Sequence, residues 1–270
     1  MPDMTVPGGR SRESPISLSM LGWALNEEDN VAEYIERAEK FLVSLTSDFE
    51  LIVIDDGSTD RTAAIIEEHQ RTRWWLRLHR NAKNRGPGFN TKLAISLARK
   101  DYLFWQTVDW SYDISQLPQH FHHLGRDCDV LQGVRQGSVS LSGLFRSRSD
   151  TAYKGLVSIT NYLLVRGLFR VPVHDYQNVT VYPTRLIQSV TLESESAFTN
   201  PECLLKVWWK GTTIREFPAP FLKRQRGVGK GTRPLFVLRS VADVLRWWLR
   251  WVVLGRRADT GRGRIIPSES

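Results

Sequence analysis

The chain has 270 residues, of which 41% are hydrophobic and 24% are charged, and this composition is ordinary for a globular protein with a sizeable core. Its net charge of +8 suits an anionic partner such as phosphate, nucleic acid or an acidic membrane surface, although charge by itself does not choose among them. The chain has only two cysteines, without metal-ligand spacing, which argues against a disulfide framework and indicates a reducing compartment. No apolar run reaches the roughly 18 residues that a membrane-spanning helix needs.

The chain begins with a segment, 1–14, that is rich in proline, glycine, serine and charge and lacks the apolar core of a signal peptide. These features predict a disordered tail and a cytoplasmic location. A strand is predicted over 15–25, and a helix begins at Val31, where apolar residues start to recur with helical spacing. A buried strand at 51–54 and a second helix follow, so the order is βαβα and the sheet is expected to be parallel.

Two carboxylates, Asp55 and Asp56, come directly after the buried strand, and Gly57 and Ser58 lead from them into the next helix. In open α/β sheets, ligands bind beyond the carboxyl ends of the strands, where these acids are placed. The alternative is a capped strand-to-helix turn with solvated acids and Asp60 at the N-cap position. The motif by itself favours neither interpretation.

Further acidic strand ends are predicted on the same edge. Asn26 and Glu27 follow the first strand, and a strand over 102–108 runs into Asp109. Between them, a third strand at 74–80 is followed by a glycine-rich loop at 81–90. Clustered carboxylates repel one another unless they share a cation or ligand donors, and Mg²⁺ commonly binds one or two carboxylates together with substrate phosphates. The pattern therefore favours a divalent ion shared with a phosphate-bearing ligand.

Four segments together resemble the family 2 glycosyltransferases of the GT-A fold: NEEDN at 26–30, DDGSTDRT at 55–62, NRGPG at 84–88 and the strand end at Asp109. The resemblance covers roughly residues 15–135. It implies an α/β fold over 15–230, with a Rossmann-like, mixed and mostly parallel sheet flanked by helices. It also implies a nucleotide-sugar donor, inverting transfer, and Mg²⁺ or Mn²⁺ bound with the donor diphosphate at Asp109. The donor-binding positions that it implies are Asn26, Glu27, Asp55, Asp56, Gly57, Ser58, Arg85 and Gly86.

The second half of the chain resembles a branch of that family, the polyprenyl-phosphate hexosyltransferases, which move a sugar onto dolichyl or undecaprenyl phosphate. The matching segments are 129–135, 174–187 and 215–230. A phosphate acceptor already carries its nucleophilic oxygen as an anion, so cations are expected beside it rather than a general base. The residues predicted on the phosphate or acceptor side are Arg135, Lys154, Asp175, Arg224 and Lys230.

One departure from the family pattern concerns the metal. The usual Asp-x-Asp is Asp109, Trp110 and Ser111 here, so Asp109 and Asp113 are predicted to be the catalytic and metal-binding pair, with Ser111 a weaker ligand. The substitution leaves open a catalytically impaired homologue that binds sugar nucleotide. A glycosyltransferase acting on a saccharide hydroxyl, in polysaccharide or glycolipid assembly, also stays open, and Asp175 would then be a candidate base. No recognition motif supports nucleic-acid binding.

The C-terminal part is predicted to be an amphipathic helix over 231–257, followed by a disordered tail over 258–270. Arginines fall on one helical face, while tryptophan, leucine and valine surround the rest. Such a helix is expected to lie in the membrane interface with its tryptophans at headgroup depth, giving peripheral association at the inner face of the membrane. The alternative is a terminal helix docked on the domain or on a second subunit.

Overall fold

A computed structural model describes residues 16–135, 152–220, 222 and 234–268, with the backbone alone described over 152–157 and 234–239. The predicted tail over 1–14 lies outside the described residues, as do Arg224 and Lys230. The side chain of Lys154 is likewise outside them.

The strands form one eight-stranded sheet with the order β3-β2-β1-β4-β6-β5-β7-β8. Among the described strands, β6 alone is antiparallel to its neighbours, β4 and β5, and every other pairing is parallel. This arrangement confirms the predicted mixed, mostly parallel sheet. The strands are β1 Leu18–Ala24, β2 Phe49–Asp55, β3 Leu76–Arg80, β4 Tyr102–Trp105, β5 Val130–Val134, β6 Thr180–Pro183, β7 Thr213–Pro218 and β8 Arg264–Ile266.

Both faces of the sheet are buried. Leu21 of β1 and Ile52 of β2 belong to one apolar cluster, whereas their neighbours Met20 and Val53 belong to the other, as the alternation of side chains along a strand requires. Helices α3, α5, α6, α7 and α8 contribute to the first cluster, and α1, α2 and α4 to the second. The helices are α1 Val31–Leu45, α2 Thr62–Gln70, α3 Pro87–Leu97, α4 Leu117–His120, α5 Ala152–Phe169, α6 Thr184–Gln188, α7 Thr199–Trp209 and α8 Pro234–Trp248.

The C-terminal helix α8 continues into a π-helical turn, Leu249–Val253, and docks on the domain. Val244, Trp247 and Trp251 are buried in the first apolar cluster, and Trp251 stacks on Trp247 with 4.9 Å between ring centroids. The prediction that these tryptophans lie at headgroup depth is therefore wrong, because they fill protein core. Within the described ranges, every helix is too short or too polar to cross a bilayer.

The predicted disordered tail over 258–270 differs from the structure in its middle part. Arg264–Ile266 forms β8, which pairs in parallel with β7 from Thr213↔Arg264 to Arg215↔Ile266. The Arg264 backbone N–H also donates to Thr212 O at 3.0 Å. The open edge of β7 presents backbone donors and acceptors that a returning segment can satisfy. The sheet and the core therefore extend past the boundary predicted at residue 230.

One carboxylate, Glu193, holds the C-terminal helix to the domain. It accepts hydrogen bonds from Trp251 Nε1 at 2.7 Å and Lys206 Nζ at 2.8 Å, and it pairs with Arg250 at 2.8 Å. Partial burial acts to raise the pKa of Glu193, but Lys206, Trp251 and Arg250 outweigh it and hold the pKa below its ordinary value. The charged form of Glu193 is therefore the form that stabilises the docked helix.

Replacement of Glu193 by glutamine is expected to lower the free energy of unfolding by about 2 kcal/mol at pH 7, the size typical of hydrogen bonds to a charged group. The folded pKa lies below the unfolded value of 4.5, so this stabilisation is fully present above about pH 4.5 and is lost as the pH falls through the folded pKa. Urea denaturation across this pH range measures the effect. Glu195→Gln, which removes an exposed carboxylate paired with Lys92, is the matched control. A difference between Glu193→Gln and the unmodified chain that is independent of pH would contradict the assignment.

Candidate active site

The carboxyl ends of three neighbouring strands bring the predicted acidic segments to one edge of the sheet. Strand β1 lies between β2 and β4 and runs parallel to both, so Ala24 and Asp55 are side by side in the register. Asn26, Asp56 and Asp109 follow the ends of these strands on that common edge. The predicted convergence of strand ends is confirmed as a spatial arrangement.

The loops after β1 and β2 are joined by a set of hydrogen bonds. Asn26, at a left-handed φ of 55°, accepts the Thr59 N–H through its side-chain oxygen at 2.9 Å, and its own N–H donates to Ser58 Oγ at 2.9 Å. The Glu27 N–H donates to Thr62 Oγ1 at 2.8 Å. Asn26 and Ser58, predicted to bind the donor, therefore also shape the loop that would do so.

The carboxylate of Asp56 forms hydrogen bonds to the loop after β3. Asp56 is buried and accepts hydrogen bonds from the Arg85 N–H at 2.8 Å, the Gly86 N–H at 3.0 Å and Asn81 Nδ2 at 2.8 Å. These bonds use both carboxylate oxygens. Asp56 thus holds the 81–86 loop beside the carboxyl end of β2, in addition to the donor contact that the resemblance implies.

Its neighbour Asp55 is also buried, and its carboxylate accepts the Ser58 N–H at 3.1 Å and lies 3.6 Å from Arg80 Nε. The carboxylate of Glu27 is only half-buried and accepts a hydrogen bond from Asn30 Nδ2 at 2.7 Å. Of these acids, Glu27 is the more accessible to a ligand. The alternative interpretation, in which these acids are solvated, does not hold for Asp55, because its carboxylate is enclosed.

Two glycines allow the loops to meet. Gly57 has a φ of +77°, and a Cβ placed on it would lie 2.7 Å from the backbone carbonyl carbon of Lys83. Gly86 has a φ of +83° and directs its N–H to Asp56 just before α3 begins at Pro87. Gly57 leaves no room for a Cβ, and the backbone of Gly86, with φ 83° and ψ 165°, lies in a region that is essentially restricted to glycine. These two predicted site glycines therefore let the loops after β2 and β3 approach each other.

The segment after β4 carries the candidate metal residues. The strand predicted over 102–108 ends at Trp105, although the Gln106 N–H still donates to Leu21 O of β1 at 3.0 Å. The buried side chain of Gln106 holds the loop that follows, donating to Tyr112 O at 2.8 Å and accepting the Thr107 N–H at 3.0 Å. Asp109 consequently lies in a turn and is half-buried. Ser111 is buried and its hydroxyl donates to Asp109 Oδ1.

Trp110 packs in the core beneath the sheet edge and holds this turn in place. It is buried at a left-handed φ of 52°, and its ring meets Tyr34 edge to face, with 5.9 Å between centroids. The guanidinium of Arg37 lies 4.7 Å from the centre of the Trp110 ring. A strained backbone of this kind persists where the surrounding packing determines it. The packing of α1 residues therefore holds Trp110, which lies between Asp109 and Ser111 in this turn.

Asp113 follows in the same loop, and its backbone N–H donates to Pro220 O at 2.9 Å. Its carboxylate accepts the Ser115 N–H at 3.0 Å, while the Leu222 N–H donates to Ser111 O at 2.8 Å. The segment after β7 therefore lies against the Asp109–Asp113 loop. That segment leads towards Arg224 and Lys230, which are outside the described residues.

The donor set fits a divalent ion that is shared with a phosphate ligand. Asp109 and Ser111 offer hard oxygen atoms on adjacent parts of one turn, the kind of ligands that Mg²⁺ and Mn²⁺ prefer. In the part of the chain that the structure describes, no cluster of three or more His, Cys, Asp or Glu side chains could hold a metal by itself. The residues fit an ion whose remaining ligands come from a diphosphate and water.

Arg135 and Asp175, two of the residues predicted on the acceptor side, form a buried, bidentate ion pair. Arg135 Nε lies 2.6 Å from Asp175 Oδ2, and Arg135 Nη2 lies 2.8 Å from Asp175 Oδ1. Burial acts to lower the pKa of Arg135, but the charge and hydrogen bonds of Asp175 outweigh it, so the pKa is raised. Asp175 Oδ1 also accepts the Gln177 N–H at 3.1 Å. Because both Asp175 oxygens are engaged, its alternative role as a general base is not favoured.

This pair lies on the same edge of the sheet as the turn that carries Asp109 and Ser111. Strands β4 and β5 are both antiparallel to β6, so they run in the same direction, and Arg135 follows β5 as Asp109 follows β4. A small pocket beside the pair is lined by Asn161, Tyr162 and Gln177. The Asn161 side-chain oxygen is buried and has no hydrogen-bond partner among the described residues. A small recess therefore lies beside the ion pair.

Sequence reasoning missed Glu216, which lies in β7 and is buried. Glu216 Oε1 accepts the His174 N–H at 2.8 Å, and Glu216 Oε2 lies 2.6 Å from His174 Nδ1. This contact positions the residue immediately before Asp175. The available signal was a carboxylate within a buried strand, which requires a partner in the fold.

Comparison with known proteins places these features in a family. The family described as Glycosyl transferase family 2 matches residues 23–180, more than half of the chain. The chain is 28% identical over 236 residues to a dodecaprenyl-phosphate galacturonate synthase of Rhizobium johnstonii, covering 84% of this chain and 66% of that protein. It is 24% identical over 217 residues to a dolichyl-phosphate beta-glucosyltransferase of Dictyostelium discoideum, covering 77% of this chain and 59% of that protein. The chain thus spans about two thirds or less of the length of these relatives.

The fold is similar to that of a solved mannosyltransferase from Pyrobaculum calidifontis, determined in complex with GDP-Man and Mn²⁺. The two structures agree with a TM-score of 0.60 over 91% of this chain and 68% of that one, at 13% sequence identity. At this identity the likeness concerns the fold. The predicted GT-A fold is confirmed.

Proposed function

The chain belongs to glycosyl transferase family 2, and from this premise we propose that it is a glycosyltransferase that transfers a hexose from a nucleotide-diphosphate sugar to a polyprenyl phosphate. The part of this proposal that concerns the sugar donor rests on one observation. In the turn after β4, the Ser111 hydroxyl forms a hydrogen bond to Asp109 at the edge of the sheet where the predicted donor-binding loops meet. The acceptor half is supported by the names of two relatives, which specify dodecaprenyl phosphate and dolichyl phosphate.

In the proposed reaction, Glu27 and the backbone of the 55–58 and 85–86 loops bind the nucleotide. Asp109 and Ser111 would hold Mg²⁺ or Mn²⁺ together with the diphosphate, with Asp113 a further predicted ligand. When bound, the ion supplies positive charge for the departing nucleoside diphosphate. A phosphate oxygen of the acceptor forms a bond to the anomeric carbon, the bond from that carbon to the donor diphosphate breaks, and configuration inverts.

The acceptor phosphate needs compensating positive charge, and Arg135 is the described residue that we propose for this role. Asp175 orients its guanidinium through two hydrogen bonds, which leaves further N–H groups of Arg135 for a phosphate. Lys154, Arg224 and Lys230 remain predicted partners of the phosphate. No general base is required, because the acceptor oxygen is already an anion.

A lipid acceptor requires the enzyme to work at a membrane surface, so we propose peripheral association with the cytoplasmic face. Cys128 and Cys203 are both unpaired thiols and buried, which agrees with a reducing compartment. The competing candidate is an impaired homologue that binds sugar nucleotide without transferring it. Ser111 in place of a second carboxylate is the observation that favours this candidate.

The proposal is tested by incubating the purified chain with radiolabelled UDP-glucose or GDP-mannose, Mn²⁺ or Mg²⁺, and a short-chain polyprenyl phosphate that needs no membrane. We expect label in a lipid product that acid cleaves and alkali leaves intact. Label in a saccharide product would support the hydroxyl acceptor instead. Donor binding in calorimetry without any transfer would support the impaired homologue.

A further inference from the structure

The exposed apolar side chains are concentrated in one segment of the chain. Of the nine large hydrophobic residues that are exposed in the described part of the chain, five lie between 245 and 254 and are 37–55% exposed. We name them the C-terminal apolar stripe: Leu245, Leu249, Val252, Val253 and Leu254. A concentration of this kind on a surface indicates an interaction site, whereas isolated exposed hydrophobic residues need no explanation.

The stripe is distinct from the face by which the helix docks. Val244, Trp247 and Trp251 follow one another at spacings of three and four residues and are buried against the domain. Leu245 and Leu249 are four residues apart and face solvent. The segment therefore has two apolar faces, and docking on the domain satisfies only one of them.

Arginines border the stripe. Arg246 is exposed beside it, and Arg256 and Arg257 follow it, whereas Arg250 is paired with Glu193 at 2.8 Å. No acidic residue occurs between 244 and 258 in the sequence. An exposed apolar strip next to clustered arginines matches a bilayer whose headgroups carry negative charge and whose acyl region begins just beneath them.

We propose that the C-terminal apolar stripe is the surface by which this protein contacts an anionic phospholipid bilayer. Leu245, Leu249 and Val252 enter the boundary between headgroups and acyl chains, while Arg246 and Arg256 contact lipid phosphates. Trp247 and Trp251 stay buried in the protein and hold the helix that carries the stripe against the domain. The inference rests on the proposed function, because it names the membrane at which a lipid acceptor would be met.

A second copy of the chain fits the C-terminal apolar stripe less well than a bilayer does. A twofold contact places the same surface of both copies together, so the arginines beside one stripe would face those beside the other. The stripe supplies no acidic residue to compensate them. Charge therefore favours a lipid surface over self-association.

The test is flotation of the full chain with vesicles of phosphatidylcholine mixed with phosphatidylglycerol, in the absence of substrates. Leu245→Ser combined with Leu249→Ser is expected to weaken vesicle binding at least about tenfold, because two apolar side chains no longer leave water. Arg246→Gln and Arg256→Gln are expected to weaken it about fivefold each, and pure phosphatidylcholine vesicles should bind the unmodified chain weakly.

The matched control is Val43→Ser combined with Trp74→Ser, which removes two exposed apolar side chains from elsewhere on the surface, 62% and 77% exposed, and should leave vesicle binding unchanged. Circular dichroism and thermal unfolding check that each variant is folded. Equal flotation of the Leu245→Ser, Leu249→Ser variant and the unmodified chain would overturn the proposal. So would a dimer in light scattering that this variant abolishes, since the occupant would then be a second copy.

The two assays distinguish failure of the membrane proposal from failure of the proposed function. Flotation uses no donor or acceptor, and transfer to the short-chain polyprenyl phosphate uses no membrane. Loss of vesicle binding with intact short-chain transfer, in the Leu245→Ser, Leu249→Ser variant, supports the stripe as the membrane contact. Absence of transfer by the unmodified chain while it still floats with vesicles would overturn the proposed function and leave the lipid surface standing.

Discussion

Asp109→Asn is expected to reduce sugar transfer about 10³-fold, the scale on which loss of one preorganised electrostatic group slows an enzyme. Asp109 is the carboxylate of the turn after β4, and the position two residues later supplies only the hydroxyl of Ser111. A neutral amide cannot replace its charge at an ion shared with a diphosphate. Radiolabel transfer measures the rate, and calorimetry with Mn²⁺ and donor measures whether metal-dependent donor binding is lost.

The control for this variant is Asp48→Asn, which removes a carboxylate paired with Lys100 at the opposite end of the strands. We expect transfer by that variant to be unchanged. Asp113→Asn shows whether the predicted second ligand contributes, because loss of metal-dependent binding comparable to that of Asp109→Asn would place it on the ion. Unchanged metal-dependent donor binding in Asp109→Asn would remove the metal assignment altogether.

Asp175→Ala is expected to lower the free energy of unfolding by about 3–5 kcal/mol, because it leaves the guanidinium of Arg135 buried without its partner. Both side chains of this pair are almost fully enclosed, with exposed fractions of 8% and 1%. In the unmodified protein, the Asp175 carboxylate outweighs the effect of burial and raises the pKa of Arg135. Urea denaturation monitored by circular dichroism measures the loss.

Asp127→Ala provides the comparison for that loss. Asp127 pairs with His123 at 2.9 Å and with Arg215 at 3.3 Å but is 47% exposed, so its removal should cost much less stability than removal of the enclosed Asp175. Replacing both partners, as Arg135→Met with Asp175→Leu, should recover much of the stability lost in Asp175→Ala, since no charge is then left buried. Equal stability of Asp175→Ala and Asp127→Ala would show that the buried pair does not support the fold.

The elements of the N-terminal half were predictable because their signals are local. Alternation and apolar runs identify strands, the spacing from Val31 identifies α1, and the acids after each strand mark the ligand edge of a parallel sheet. The prediction at the end of β4 was less accurate. Val108 is apolar and buried but lies in the turn after β4, so its apolar character reflects burial in the core rather than strand pairing.

The partners of the site residues could not be predicted, since they come from distant parts of the chain. Asp56 accepts N–H groups from residues 29 and 30 positions away, and Asp175 pairs with Arg135 across 40 positions. Sequence spacing shows that carboxylates reach one edge of the sheet. It does not show which of their oxygen atoms are already bonded to the protein.

The sequence by itself determined the α/β fold, the family and the edge at which the donor site lies, because strand and helix periodicity and the acidic motifs are properties of short segments. Only the tertiary structure decided that Trp247 and Trp251 lie in the core, that Arg264–Ile266 completes the sheet and that leucine and valine form the exposed stripe. The physical reason is that a protein core and a lipid bilayer both select apolar side chains. Which of the two a given side chain meets depends on how distant elements pack around it.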